Sequence, residues 1–136
     1  MKKNVSDNKA KNYYKELKQL LPNACSEFSC VKVAAIIVTD KGIFKGVNVE
    51  DPVLNLGICA ERNAIFNALT NGMKRIYAIH LISNVTDSEL NMCGACRQMA
   101  TTYMNLTDKV YVYNLKRGTR SVYTLGQLLP HSNKKI

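Results

Sequence analysis

The sequence contains no long run of apolar residues and no segment with the features of an export signal. No apolar run approaches the roughly 20 residues of a membrane-spanning helix. The chain opens on Met-Lys-Lys, as a signal peptide can, but residues 4–18 are polar and contain no apolar core. Repeats and linkers are also absent. We expect a soluble, cytoplasmic protein whose 136 residues form one domain, with basic, flexible ends at about 1–7 and 131–136.

Acidic residues are scarce, since ten Asp and Glu stand against 19 Lys and Arg, which gives a net charge of +9. The excess lies in residues 1–18 and 116–136, whereas residues 19–115 carry eight basic and eight acidic side chains. A nucleic-acid-binding protein needs its positive charge on the face that follows the phosphates. The neutral centre therefore disfavours a nucleic-acid partner, and an A-rich codon bias accounts equally well for the many lysines.

Hydrophobic periodicity and turn residues predict nine elements. Helices are expected at 8–21, 60–71, 93–104 and 125–129, and strands at 31–39, 43–50, 75–83, 109–114 and 121–123. Pro22 and Gly72 end the first two helices, and Asp40-Lys41-Gly42 supplies a hairpin turn between the first two strands. The order of elements predicts an α/β fold, a three-layer α-β-α sandwich around a five-stranded mixed sheet.

Three of the five cysteines have the spacing of metal ligands. Cys59 and the pair Cys93 and Cys96 fall where loops meet the first turns of predicted helices. Helix N-termini lower the pKa of thiols, and two cysteines three residues apart lie on one helix face. Neither segment contains a fourth candidate ligand. Three protein ligands with one position left to water are typical of a catalytic zinc site.

Two other interpretations of these cysteines remain open at this point. A structural zinc would need a fourth ligand, and the two histidines, His80 and His131, lie in a predicted strand and in the C-terminal tail. Small cysteines also often pack in a core without binding metal. Cys25 and Cys30 belong to a loop-to-strand segment and are not expected to bind metal.

Glu61 decides which chemistry such a site would perform. It follows Cys59 by two positions at a helix start, so its carboxylate can face the open position of the metal without binding to it. A carboxylate placed there can take a proton from water and pass it to a leaving group. A glutamate in a first helical turn is also common because of the helix dipole. The neighbouring cysteines favour the catalytic interpretation.

These segments resemble those of the cytidine deaminase family, in its small homotetrameric form with three cysteine ligands. The resemblance covers about residues 28–130 and includes the hairpin, Asn48-Val49-Glu50, Cys59-Ala60-Glu61-Arg62, Cys93-Gly94-Ala95-Cys96-Arg97-Gln98 and Leu128-Leu129-Pro130. It implies zinc-dependent hydrolytic deamination of cytidine and deoxycytidine to uridine and deoxyuridine, in pyrimidine salvage. It also implies a homotetramer with shared active sites.

The resemblance assigns the reacting groups. Cys59, Cys93 and Cys96 would bind Zn²⁺, with a solvent oxygen as the fourth ligand. Glu61 would move protons from that solvent molecule to the ring N3 and to the departing ammonia.

It also assigns the surrounding groups. Asn48 and Glu50 would bind the ribose hydroxyls, and Ala60 would contact the substrate. Arg62 would donate to the ligand sulfurs and withdraw charge from a centre that three thiolates leave at −1. A surface arginine and a polar strand end are the ordinary alternatives for Arg62 and for the Asn48–Glu50 pair.

Four positions depart from the family pattern. Met92 replaces the proline that usually precedes the second cysteine segment. Val31, Leu54 and Asn133 stand where relatives have aromatic residues, the last two of which neighbouring subunits would supply. We therefore expect an open wall around the base, unless Phe28 fills it.

Other functions remain as alternatives. A changed base wall would admit a modified cytosine nucleoside or a blasticidin-like antibiotic, although relatives that act on the antibiotic usually lack the glutamate that stands here as Glu50. A non-catalytic zinc or RNA-binding domain would have no use for Glu61. Editing of polynucleotides is disfavoured by the neutral central segment.

Overall fold

The protein is represented by a computed structural model that describes residues 3–133, with side chains described from residue 12 onward. Its helices and strands are α1 (Lys3–Leu20), β1 (Val33–Thr39), β2 (Gly42–Val47), α2 (Ala60–Thr70), β3 (Ile76–Ser83), α3 (Gly94–Tyr103), β4 (Lys109–Asn114), β5 (Arg120–Thr124) and α4 (Leu125–Leu128). Short 3₁₀ turns occur at Leu21–Asn23 and Leu54–Leu56. None of the helices in the described range is both long and apolar enough to cross a bilayer.

The five strands form one mixed sheet in the order β2-β1-β3-β4-β5. Strands β3 and β4 are parallel, with α3 in the connection between them, and every other neighbouring pair is antiparallel. This arrangement confirms the predicted α/β fold with its five-stranded mixed sheet.

Alternating side chains of the strands form two separate cores, one on each face of the sheet. On one face, Ile36 and Ile82 pack against Leu17 of α1. On the other face, Ile79 and Leu81 belong to a larger core with the buried residues of α2 and α3. The three layers therefore consist of α1, the sheet, and the α2–α3 layer.

The adjoining ends of β1 and β2 differ from the sequence prediction. Strand β1 begins at Val33, two residues later than predicted, and β2 ends at Val47, three residues earlier. The Asn48 side-chain amide accepts the Val33 N–H at 2.7 Å and donates to the Val31 carbonyl at 2.8 Å, while the Asn48 backbone N–H donates to the Val33 carbonyl at 3.1 Å. The Asn48–Glu50 segment consequently lies in a loop beyond the strand.

The chain ends also differ from the prediction. Helix α1 begins at Lys3, not at residue 8, and the added turn contains neither glycine nor proline to stop it. Part of the predicted flexible ends, residues 1–2 and 134–136, lies outside the described residues.

Gly46 brings β2 against the first turn of α2. A Cβ atom at this position would lie within 2.5 Å of the Ala64 backbone nitrogen and closer still to the Ala60 carbonyl oxygen. Backbone atoms cannot move aside as a flexible side chain can, so only glycine allows this approach. The contact sets the position of the helix start that carries Cys59, Glu61 and Arg62.

Candidate metal centre and adjoining cavity

The three cysteines predicted as ligands come together at the meeting point of two helix N-termini. Cys59 is the N-cap of α2, Cys93 is the N-cap of α3, and Cys96 lies in the first turn of α3. Their sulfur atoms all lie within 4.8 Å of one another. Among the described residues, no other group of three or more Cys, His, Asp or Glu has ligand atoms this close.

The spacing and chemistry of the three thiols fit Zn²⁺. Zn–S bonds of about 2.3 Å in a tetrahedron separate the sulfurs by roughly 3.8 Å, and the Cys59 and Cys93 sulfurs lie 3.6 Å apart. Soft sulfur ligands select zinc over hard cations such as Mg²⁺. Both Cys25 and Cys30 lie outside the cluster, as expected.

Neither histidine supplies a fourth ligand. His80 is buried in the α1 face of the sheet, where it stacks between Tyr13 and Tyr111 and its Nδ1 forms a 2.9 Å hydrogen bond with the Tyr113 hydroxyl. His131 is exposed and does not join the cluster. Within the described part of the chain, the site therefore offers three protein ligands and leaves one position open.

The surroundings favour ionisation of Cys59. The adjacent Cys96 thiol, and the Arg62 guanidinium whose Nη2 lies 3.5 Å from the Cys59 sulfur, lower the pKa of Cys59 to about 5. The pKa of Cys96 is raised by its contact with Cys59 and by burial. The two thiols thus shift in opposite directions because they share one hydrogen bond. A cation that binds here must displace the remaining protons.

Glu61 is buried beside the cysteines. It lies in the first turn of α2, its side chain is almost inaccessible to solvent, and its Oε2 lies 3.6 Å from the Cys96 sulfur. Burial raises the pKa of Glu61 above the usual range of a carboxyl group. A carboxyl group whose pKa is raised by burial is typical of a residue that acts in general acid–base catalysis.

Met92 keeps the start of α3 in position although it replaces a proline. Its N–H, which a proline would lack, donates to Asn91 Oδ1 at 2.8 Å, and its carbonyl accepts from Arg97 Nε at 2.7 Å. Arg97 Nη1 also donates to the Leu128 carbonyl at 2.7 Å. These hydrogen bonds link the loop before α3 to the first turn of α3 and to α4.

A cavity of about 390 Å³ opens above the cysteines, with room for a small organic molecule. Cys59, Cys93 and Glu61 lie at one end of its lining, and the segment after β2 contributes Asn48 and Glu50. Leu54 also lines it, although its side chain is 87% exposed.

The cavity contains most of the predicted substrate residues. Asn48, Glu50, Leu54 and Ala60 line it, whereas Val31 does not. Val33, the first residue of β1, does line it.

Two further residues were considered for the wall around the base, Phe28 in this chain and Asn133 from a neighbouring subunit. The Asn133 carbonyl accepts a hydrogen bond from Gln98 at 3.0 Å, and Phe28 is 58% exposed. Neither residue lines the cavity, and of the residues described none of the lining ones is aromatic.

Leu90 and Asn91 line the cavity but were missed in the sequence. They belong to the polar loop before α3, which folds back over the carboxyl end of β3. No local pattern marks such residues, because their position depends on the path of a loop.

Comparisons with known proteins agree with this geometry. Residues 7–114 match the profile of the family described as cytidine and deoxycytidylate deaminase zinc-binding region. The chain is 34% identical over 102 residues to the cytidine deaminase of Sporosarcina psychrophila, covering 75% of this chain and 74% of that protein. It is 28% identical over 121 residues to the cytidine deaminase of Mycoplasma genitalium, covering 89% and 92%.

A solved structure shows the same fold. The cytidine deaminase of Burkholderia pseudomallei superimposes with a TM-score of 0.80 at 34% identity, covering 89% of this chain and 96% of that one. Profile, sequence and structure agree, so the chain belongs to the cytidine and deoxycytidylate deaminase family. Its cofactor is Zn²⁺, which the profile and the cluster of three cysteines indicate independently.

We predict that Cys96→Ser abolishes zinc binding, because it removes the buried sulfur of the cluster and leaves two ligands. Elemental analysis of purified protein should find about one zinc per wild-type chain and almost none in the variant. Cys25→Ser, an exposed thiol outside the cluster, is the matched control and should retain the metal. Full zinc content in Cys96→Ser would contradict the assignment.

Proposed function

We propose that the protein hydrolytically deaminates cytidine and deoxycytidine to uridine and deoxyuridine. The observation that carries this proposal is the buried Glu61 carboxyl beside three clustered thiols, at one end of a cavity of about 390 Å³. Relatives named cytidine deaminase support the choice of substrate. Such an activity would serve pyrimidine salvage, and the free thiols favour the cytoplasm as a reducing compartment.

In this mechanism Cys59, Cys93 and Cys96 hold the zinc, and Glu61 handles the protons. Bound Zn²⁺ supplies Lewis-acid chemistry that lowers the pKa of water toward 7 and so provides a nucleophile at neutral pH. Glu61 accepts the proton that the attacking water loses and donates it to the ring N3 of cytosine. It then carries the second proton of that water to the amino group, which leaves as ammonia. Its burial excludes bulk water from these transfers.

Arg62 adjusts the charge of the centre. Three thiolates and Zn²⁺ sum to −1, which opposes the formation of a further anion there. The Arg62 guanidinium donates to the Cys59 sulfur and withdraws part of that charge. Contact with the thiols raises the pKa of Arg62, so it stays cationic at any relevant pH.

Asn48 and Glu50 bind the sugar of the substrate in this proposal. The Asn48 amide already accepts from Val33 and donates to Val31. One N–H and one oxygen lone pair remain for a ribose hydroxyl. Asn48 therefore joins strand and substrate, which accounts for its place directly after β2.

We predict that Glu61→Gln abolishes deamination and leaves zinc bound. The amide has nearly the same shape but cannot shuttle protons, and loss of a general acid–base group lowers kcat by about 10²–10⁴-fold. Ammonia release and zinc content should be measured together. Glu27→Gln, at an exposed carboxylate outside the cavity lining, is the control. Activity of Glu61→Gln within tenfold of wild type would show that another group moves the protons.

A second candidate substrate is a cytosine nucleoside with a bulkier base. The absence of an aromatic side chain from the described cavity lining favours it, because nothing there would stack on the base. Stacking contributes roughly 1–3 kcal/mol per base. Without it, the base is held weakly and the wall beside Val33 admits extra bulk.

We accordingly predict a high KM for cytidine and little loss of kcat/KM for 5-substituted cytidines. Val33→Phe should lower the KM for cytidine about fivefold and penalise the larger bases, because it restores an aromatic wall. Val31→Phe lies outside the cavity lining and is the matched control. A low wild-type KM that neither variant changes would contradict the hypothesis that the base lacks an aromatic wall.

We also propose a homotetramer in which neighbouring subunits complete each active site. Val53, Leu54 and Leu56 lie beside the cavity with 55%, 87% and 67% of their surface exposed. A cluster of such side chains is typical of a covered interface.

We predict that light scattering gives four times the chain mass for the wild type. Leu54→Asp should dissociate the assembly and lower activity, because it introduces charge into the apolar cluster. A fully active wild-type monomer would refute the shared-site proposal.

A further inference from the structure

Both carboxylate oxygens of Glu50 are bound by a single residue 21 positions earlier in the chain. The Ser29 hydroxyl donates a short hydrogen bond to Oε1, and the Ser29 backbone N–H donates to Oε2 at 3.1 Å. The Ser29 Oγ also accepts the N–H of Val31 at 3.0 Å, which positions the hydroxyl itself. In the described part of the chain, the Glu50 carboxylate has no other hydrogen-bond or ion-pair partner.

Hydrogen bonds hold the backbone directly after Ser29, at residues 30–33. Asn84 accepts the Lys32 N–H at 3.0 Å through Oδ1 and donates to the Cys30 carbonyl at 2.9 Å through Nδ2. Asn48 makes the equivalent pair of hydrogen bonds one residue further on, to the Val33 N–H and the Val31 carbonyl. Two amides therefore fix the backbone after Ser29, so that its hydroxyl and N–H point at Glu50 from a stable position.

These contacts leave Glu50 able to bind a ligand. A carboxylate has about four lone-pair positions, and Ser29 uses two of them, one on each oxygen. The other two remain for hydroxyl groups in the cavity that Glu50 lines. A free glutamate at this partly exposed position would have to give up side-chain entropy when it binds.

We propose that Ser29 is a positioning residue that pre-orients the Glu50 carboxylate for the hydroxyl groups of the sugar. The inference rests on the proposed function of Glu50 in sugar binding. Ser29 acts through the carboxylate and not on the base or on the metal centre. Its removal should weaken substrate binding and leave the deamination step intact.

The test compares a substrate that has sugar hydroxyls with one that lacks them. For Ser29→Ala we expect the KM for cytidine to rise roughly tenfold, the loss expected for hydrogen bonds to a charged group, with kcat within twofold. The KM for 2′,3′-dideoxycytidine should not change. Ser29→Thr, which keeps the hydroxyl, should restore the wild-type KM. Ser121→Ala, an exposed serine outside this cavity lining, is the control.

A double-mutant cycle tests whether Ser29 acts through Glu50. In a Glu50→Ala background, Ser29→Ala should change the KM for cytidine by less than twofold, because the carboxylate that it orients is gone. An additive effect of the two changes would mean that Ser29 acts elsewhere.

Three kinetic outcomes would overturn the inference. An equal rise in KM for both nucleosides would show a general structural role. A lower KM for cytidine would show that Ser29 competes with the sugar. An unchanged KM would show that Glu50 needs no orientation.

Calorimetric binding to Glu61→Gln protein, with and without Ser29→Ala, repeats the comparison without turnover. Wild-type protein that binds cytidine but releases no ammonia would contradict the proposed activity. The binding data would then still decide the role of Ser29, because they do not depend on deamination.

Discussion

The structure depends on the approach of two helix N-termini, because neither helix alone carries enough ligands for a metal. Helix α2 brings Cys59 and helix α3 brings Cys93 and Cys96, and their sulfurs meet within 4.8 Å. The unpaired N–H groups of both first turns favour the negative charge that the thiolates bring. Gly46 allows α2 to approach the sheet, and Arg97 ties α3 to the loop before it. A shift of either helix by an ångström would separate the ligands.

Charge explains why Glu61 and Arg62 are neighbours in the chain. Glu61 and Arg62 leave the first turn of α2 in different directions. The Arg62 guanidinium therefore lies against the Cys59 sulfur, and the Glu61 carboxyl lies against the Cys96 sulfur. The first removes negative charge from the centre, and the pKa of the second is raised by burial. Both side chains belong to the same helix turn, so the helix start that supplies the ligand Cys59 also supplies the groups that adjust the charge around it.

The sequence predicted those features that depend on local chain geometry. Cys93 and Cys96, three residues apart at a helix start, face one side whatever the tertiary fold, so that pair was predictable, whereas the approach of Cys59 depends on the packing of two helices. The sheet was predictable for the same reason, since each strand shows its own apolar pattern. The role of Val31 stays a prediction, since Val33 and not Val31 lines the cavity, and the Asn48 amide binds the backbone of both residues. Leu90 could not be found, because it reaches the cavity along a loop without a repeating pattern.

The two ends of the cavity are therefore built differently. The metal end consists of helix first turns packed into the larger core, where a buried residue such as Ala64 leaves no room for change. The side formed by the segment after β2 is held by side-chain hydrogen bonds, those of Asn48 and Glu50 among them. A hydrogen bond between loops can be replaced without disturbing a core, whereas a displaced helix cannot be tolerated. Substrate selection can consequently vary at the loops while the reacting groups stay in place.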